Sequence, residues 1–87
     1  MLFRSSITPT PFPVTYTFTG NGNWNVASNW TNNSIPPAIL PSGSTIVINH
    51  VVGGNCQLNI SQNISAGATL TVLTGKNLVV PGALTIQ

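Results

Sequence analysis

The feature that most constrains this chain is a phrase that recurs toward its C-terminal end. Gly67-Ala68-Thr69-Leu70-Thr71-Val72 is followed by Gly82-Ala83-Leu84-Thr85-Ile86, in each case a glycine turn leading into an apolar, polar, apolar triplet. Leu58-Asn59-Ile60 is a third such triplet, and Thr45-Ile46-Val47-Ile48 and Leu78-Val79-Val80 are further short apolar runs. Alternation with period two sends successive side chains to opposite faces, as in a strand, and the runs are short and rich in β-branched residues. Recurrence at about 14 to 15 residues predicts stacked rungs with about two strands in each, so that equivalent side chains lie above one another. The expected fold class is all-β, a short parallel β-solenoid. A β-sandwich is the alternative, because strands spaced by about 8 to 12 residues suit that architecture as well.

Two zones precede the rungs. Thr8-Pro9-Thr10-Pro11-Phe12-Pro13 fixes φ at alternate residues and predicts an extended arm over residues 1–14, either a loose leader or a segment that docks through Phe3, Ile7, Phe12 and Val14. Residues 15–87 are read as one β domain, with a cap region at 15–44 and stacked rungs at 45–87. The cap opens with the alternating strand Thr15-Tyr16-Thr17-Phe18-Thr19, turns at Gly20-Asn21-Gly22-Asn23, and carries Trp24 and Trp30 six positions apart. Pro36, Pro37 and the turn Pro41-Ser42-Gly43-Ser44 close it.

Charge narrows the chemistry. The 87 residues contain no Asp or Glu and only two Lys or Arg, Arg4 and Lys76, alongside His50. Paired carboxylates for acid–base work, two-carboxylate glycoside hydrolysis and metal-assisted phosphoryl transfer all lack their residues, so the chain is expected not to be an enzyme. A Cys-His-Asn arrangement from Cys56, His50 and an asparagine is the remaining catalytic combination, and its bland counterpart is a buried thiol beside a histidine at a strand end. No metal-ligand cluster or phosphate-cradling glycine motif is present, and no cofactor is expected. Two scattered cations make no phosphate-tracking patch, which excludes nucleic acid as a partner, and no apolar run has the length of a membrane-spanning helix. A single cysteine cannot form an intrachain disulfide, and a domain this small has a marginal core, which leaves association with other copies as the expected source of added stability.

The stretch from Tyr16 to Trp30, then Ile35-Pro36-Pro37, Ile46-Val47-Ile48 and the Gly-Ala-Leu-Thr phrases, resembles the β-solenoid modules of secreted and cell-surface proteins of Bacteroidota. The likeness covers roughly residues 14–87. It implies a cap at Trp24 and Trp30, a solenoid after Ile46 with the phrases marking successive rungs, and a secreted or cell-surface location. Members of that family often carry Asp beside the tryptophans and before the first rung strand. This chain has Asn25 and Ser44-Thr45 there, so no carboxylate calcium site follows from the resemblance.

Three functional readings come from these residues. The leading one is an extracellular structural protein that joins head to tail into a filament or surface fibre, because Leu84-Thr85-Ile86-Gln87 ends in an apolar strand with no proline or charged gatekeeper. Its expected interface is Phe3, Ile7, Phe12 and Val14 against Leu84 and Ile86 of the next copy. The second is an adhesive or carbohydrate-binding module in which Tyr16, Trp24 and Trp30 stack on sugars and Asn23, Asn25 and Asn29 supply hydrogen bonds; the competing reading is an aromatic plug over the first rung. An enzyme is the third and least supported. The sequons place candidate N-glycosylation at Asn29, Asn32, Asn59 and Asn63. Without side-chain carboxylates, stability is expected to resist acid, with His50 as the side chain left to respond.

Overall fold

The computed structural model describes residues 13–87, so Phe3, Ile7, Phe12 and most of the expected arm lie outside the described residues. The protein is all-β. Among the described residues nine short strands follow one another: β1 (Thr15–Phe18), β2 (Gly22–Asn23), β3 (Ile39–Leu40), β4 (Thr45–Ile48), β5 (Cys56–Gln57), β6 (Ser61–Ile64), β7 (Thr69–Val72), β8 (Leu78–Val79) and β9 (Ala83–Ile86). Two single 3-10 turns, Ala27–Asn29 and Thr31–Asn33, interrupt the first third.

The strands form three parallel three-stranded sheets, ordered β1-β4-β7, β2-β5-β8 and β3-β6-β9. Each pass of the chain therefore contributes one strand to each sheet. Pairing among the named strands is parallel throughout, which does not fit the antiparallel pairing of a sandwich. Four features differ from the sequence reading. A pass holds three strands, not two. Its period is about 22 to 24 residues, set by pairs such as Thr45 with Thr69 and Cys56 with Leu78. The two Gly-Ala-Leu-Thr phrases belong to β7 and β9, in different sheets of the same pass, so they do not mark successive rungs. Residues 15–44 also contribute more than a cap, since β1, β2 and β3 supply one strand to every sheet.

The turns explain why the chain coils back at regular intervals. Pro41–Ser44, Val51–Gly54, Ser65–Ala68 and Leu73–Lys76 each close with a main-chain hydrogen bond from the fourth residue to the first, at 3.1, 3.0, 2.9 and 3.0 Å. The third residue is always a glycine in the left-handed region: Gly43, Gly53, Gly67 and Gly75, with φ between 79° and 89°. That conformation is costly for residues with a Cβ and free for glycine, as in a type II turn. The first and third turns precede β4 and β7, and the second and fourth follow them, so equivalent corners stack.

Between the sheets lies the core. Parallel register places Phe18, Ile48 and Val72 in one column, Tyr16, Ile46 and Leu70 in a second, and Leu40, Ile64 and Ile86 in a third. Burial is not shared evenly. In the middle pass Ile46, Ile48, Cys56, Leu58 and Ile64 are buried, with neighbours above and below. In the third pass Leu70, Leu78 and Leu84 are half-buried, and Val72 and Ile86 remain 41% and 64% exposed.

The first pass differs in length. From Gly22 to Ile39 it runs about ten residues longer than the matching stretches from Cys56 to Asn63 and from Leu78 to Thr85. The added chain holds both 3-10 turns and Trp30.

Candidate functional site

The inserted residues place the aromatic cluster. Trp30 meets Phe18 edge to face at 5.2 Å and Trp24 at 4.9 Å, and its indole Nε1–H donates to the Trp24 carbonyl at 2.7 Å. Trp24 and Trp30 are buried and Tyr16 is half-buried, packed on the core. Stacking on a sugar needs an open ring face, and neither tryptophan has one, so the glycan platform expected from Tyr16, Trp24 and Trp30 is not formed. The rings plug the first pass instead. Trp24 Nε1 is buried with no hydrogen-bond partner among the described residues.

Of the amides expected to serve a sugar, Asn25 and Asn29 are engaged within the chain. Asn29 accepts the Asn21 N–H on Oδ1 and donates from Nδ2 to the Asn23 carbonyl at 3.0 Å, while Asn59 Nδ2 donates to Asn25 Oδ1 at 3.1 Å. Of the sequon asparagines, Asn32 is exposed with φ 59°, Asn63 lies half-buried in β6, and Asn29 and Asn59 have their side chains tied as described.

His50 and Cys56 flank the second turn. A main-chain N–H can only donate, so the 2.8 Å contact from the Asn77 N–H makes His50 Nε2 an acceptor. The ring proton is then on Nδ1, donating to the Val51 carbonyl at 2.8 Å. Both nitrogens are engaged. Burial pushes the Cys56 thiol up to about 12 because the thiolate would lose its hydration, so the group stays protonated at neutral pH.

Two edges of the sheets face away from the middle pass, and they are unlike. On the first pass, Phe18 pairs with Ile48 on one side and makes an antiparallel bridge to Trp30 on the other. Thr19 and Gly20 both donate to the Asn29 carbonyl, and Thr31 Oγ1 donates to the Thr17 carbonyl. The insertion thus occupies the outer edge of β1, and Asn29 occupies that of β2 through the Asn23 carbonyl. On the third pass, no strand among the described residues pairs with the outer edges of β7, β8 and β9. Its Lys76, the natural charged guard for such an edge, is turned back to the middle pass, where Nζ donates to the His50 carbonyl at 2.7 Å.

Of the interface expected from the sequence, Leu84 and Ile86 do lie on this open pass, and Val14 is exposed at the other end, beside β1. Sequence reasoning missed Leu70, Val72, Leu78 and Val79, which share the open pass with them. Their apolar periodicity was visible, but assigning them to one layer requires knowing that three strands complete a pass. The head-to-tail joint also meets an obstacle that the sequence did not reveal, the occupied outer edges of β1 and β2.

No family model, curated protein or solved structure matches this chain. Among the described residues there is no pocket, no group of three His, Cys, Asp or Glu side chains, and no helix long and apolar enough to cross a membrane.

Proposed function

We propose that this chain is a non-catalytic, extracellular β-solenoid module with a structural role, and that it associates with a second copy through the open edge of its third pass. The observation that carries this reading is the exposed layer formed by Val72, Val79 and Ile86 beside half-buried Leu70, Leu78 and Leu84, at outer edges that no strand among the described residues pairs. A second copy supplies both things such an edge lacks, hydrogen-bonding strands and apolar cover. Charge does not oppose the contact, since the formal net charge is only +2 and Lys76 is tied to the middle pass. The same shortage of charge, together with the likeness to secreted Bacteroidota modules, supports an extracellular or cell-surface setting.

Sedimentation velocity across a concentration series tests the association. The unmodified chain is expected to shift from monomer to a larger species as concentration rises, whereas Val72→Lys with Ile86→Lys stays monomeric, because burying two charges without partners costs several kcal/mol. A chain that stays monomeric at the highest attainable concentration, with the β7 and β9 amides already protected from exchange, rules the proposal out; the edge would then be covered from within.

A further inference from the structure

His50 follows β4, and its ring is buried, 2% exposed. Two consecutive residues of the third pass hold it: Asn77 through the main-chain N–H to Nε2, and Lys76 through Nζ to the His50 carbonyl. Its Nδ1–H is committed to the Val51 carbonyl. The hydrogen bond that joins the turn before β8 to the middle pass therefore requires a lone pair on Nε2, which only the neutral ring has.

We propose that His50 is an acid-sensitive latch between the second and third passes. A proton taken from solvent onto the Nε2 lone pair turns the acceptor of the Asn77 N–H into a donor. No other bond forms or breaks covalently. Two N–H groups then point at each other in a buried position, so the joint loses one hydrogen bond and leaves two unsatisfied donors, a cost that release of the turn relieves.

The surroundings give the imidazolium no compensation. Lys76 is the charged side chain bonded to this residue, and it is a cation. There is no Asp or Glu anywhere in the chain to pair with a charged ring. The other titratable side chains among the described residues, Tyr16 in β1 and Cys56 in β5, make no hydrogen bond to the ring. From the first pass the contact beside His50 is neutral, the Val51 N–H donating to the Gly20 carbonyl at 3.0 Å.

The direction follows from which ring form the joint uses. The folded joint contains the neutral ring, so protonation favours the released form and acid opens the latch. The third pass would separate at the β7–β8 corner first, uncovering the underside of the middle pass around Ile48 and Cys56. This inference concerns contacts within one molecule and stands whether or not copies associate.

Amide hydrogen exchange on the full chain at low concentration, from about pH 8 to about pH 5 and corrected for intrinsic exchange, tests the latch. The Asn77 and Leu58 amides, which donate to the ring and to the Val79 carbonyl, are expected to lose about tenfold in protection relative to the Asn49 and Thr45 amides, which join the first and second passes. His50→Gln, whose amide oxygen accepts without titrating, is expected to hold that ratio constant. A ratio in the unmodified chain that stays flat overturns the proposal, as does a parallel loss at all four amides. Should the variant fail to fold, ring nitrogen shifts decide independently: the proton must reside on Nδ1 at about pH 8, and a proton on Nε2 there refutes the latch.

Discussion

At Gly82 the third pass runs close against the second, its N–H donating to the Leu58 carbonyl at 2.9 Å. A Cβ built there would collide with the main-chain oxygen of Ile60 and stand 2.8 Å from its nitrogen, and main chain cannot swing aside as a long side chain can. Gly82→Ala is expected to destabilise the third pass by about 1–3 kcal/mol, read as an earlier urea transition and faster exchange at the Ala83 and Gln87 amides, which donate to the second pass. Cys56 gives a second residue-scale expectation, at alkaline pH. The buried thiol keeps its proton up to about 12 against an ordinary value of 9.0, so the unfolded chain loses its proton first. Stability is then whole below about pH 9 and falls as pH rises toward 12. Urea midpoints should decline over that window, and Cys56→Ala should flatten the decline while lowering the starting value through the cavity it leaves.

At the scale of elements, the turns and the longer strands were legible, and their partners were not. Alternation in Thr15–Phe18, Thr45–Ile48, Thr69–Val72 and Ala83–Ile86 marks strands because one face turns toward the core, fully buried at Ile46 and Ile48 and half-buried at Leu70 and Leu84. Cys56–Gln57 and Gly22–Asn23 are too short to show a period, and hiding them made a three-strand pass look like two. Leu58 was read as a strand residue; it lies just beyond β5 yet is fully buried, so its burial was visible though its element was not. The tryptophan spacing announced an aromatic cluster, but whether its faces were open depended on where the inserted residues fold back. Trp30→Phe tests that insertion as an element. Loss of the Nε1–H to the Trp24 carbonyl is expected to cost about 1–2 kcal/mol and to loosen residues 27–33 before the rest, measured by exchange at the Thr19 and Gly20 amides bonded to Asn29.

At the scale of the whole molecule, burial runs as a gradient along the stack, from the plugged first pass through the dry middle to the partly bare third. Acid response should follow the same axis. With no side-chain carboxylate to protonate, the first and second passes are expected to remain folded in acid, while the joint beneath His50 gives way. The occupied edges of β1 and β2 have a consequence in the terms of polymer chemistry. Linear growth requires units of functionality two, able to bond at both ends. With Asn29 to Thr31 seated on β1 and β2, the association proposed through the third pass would give this molecule functionality one. On that proposal such units would dimerise and then stop, and on meeting a longer strand stack with a free end they would act as its chain terminator.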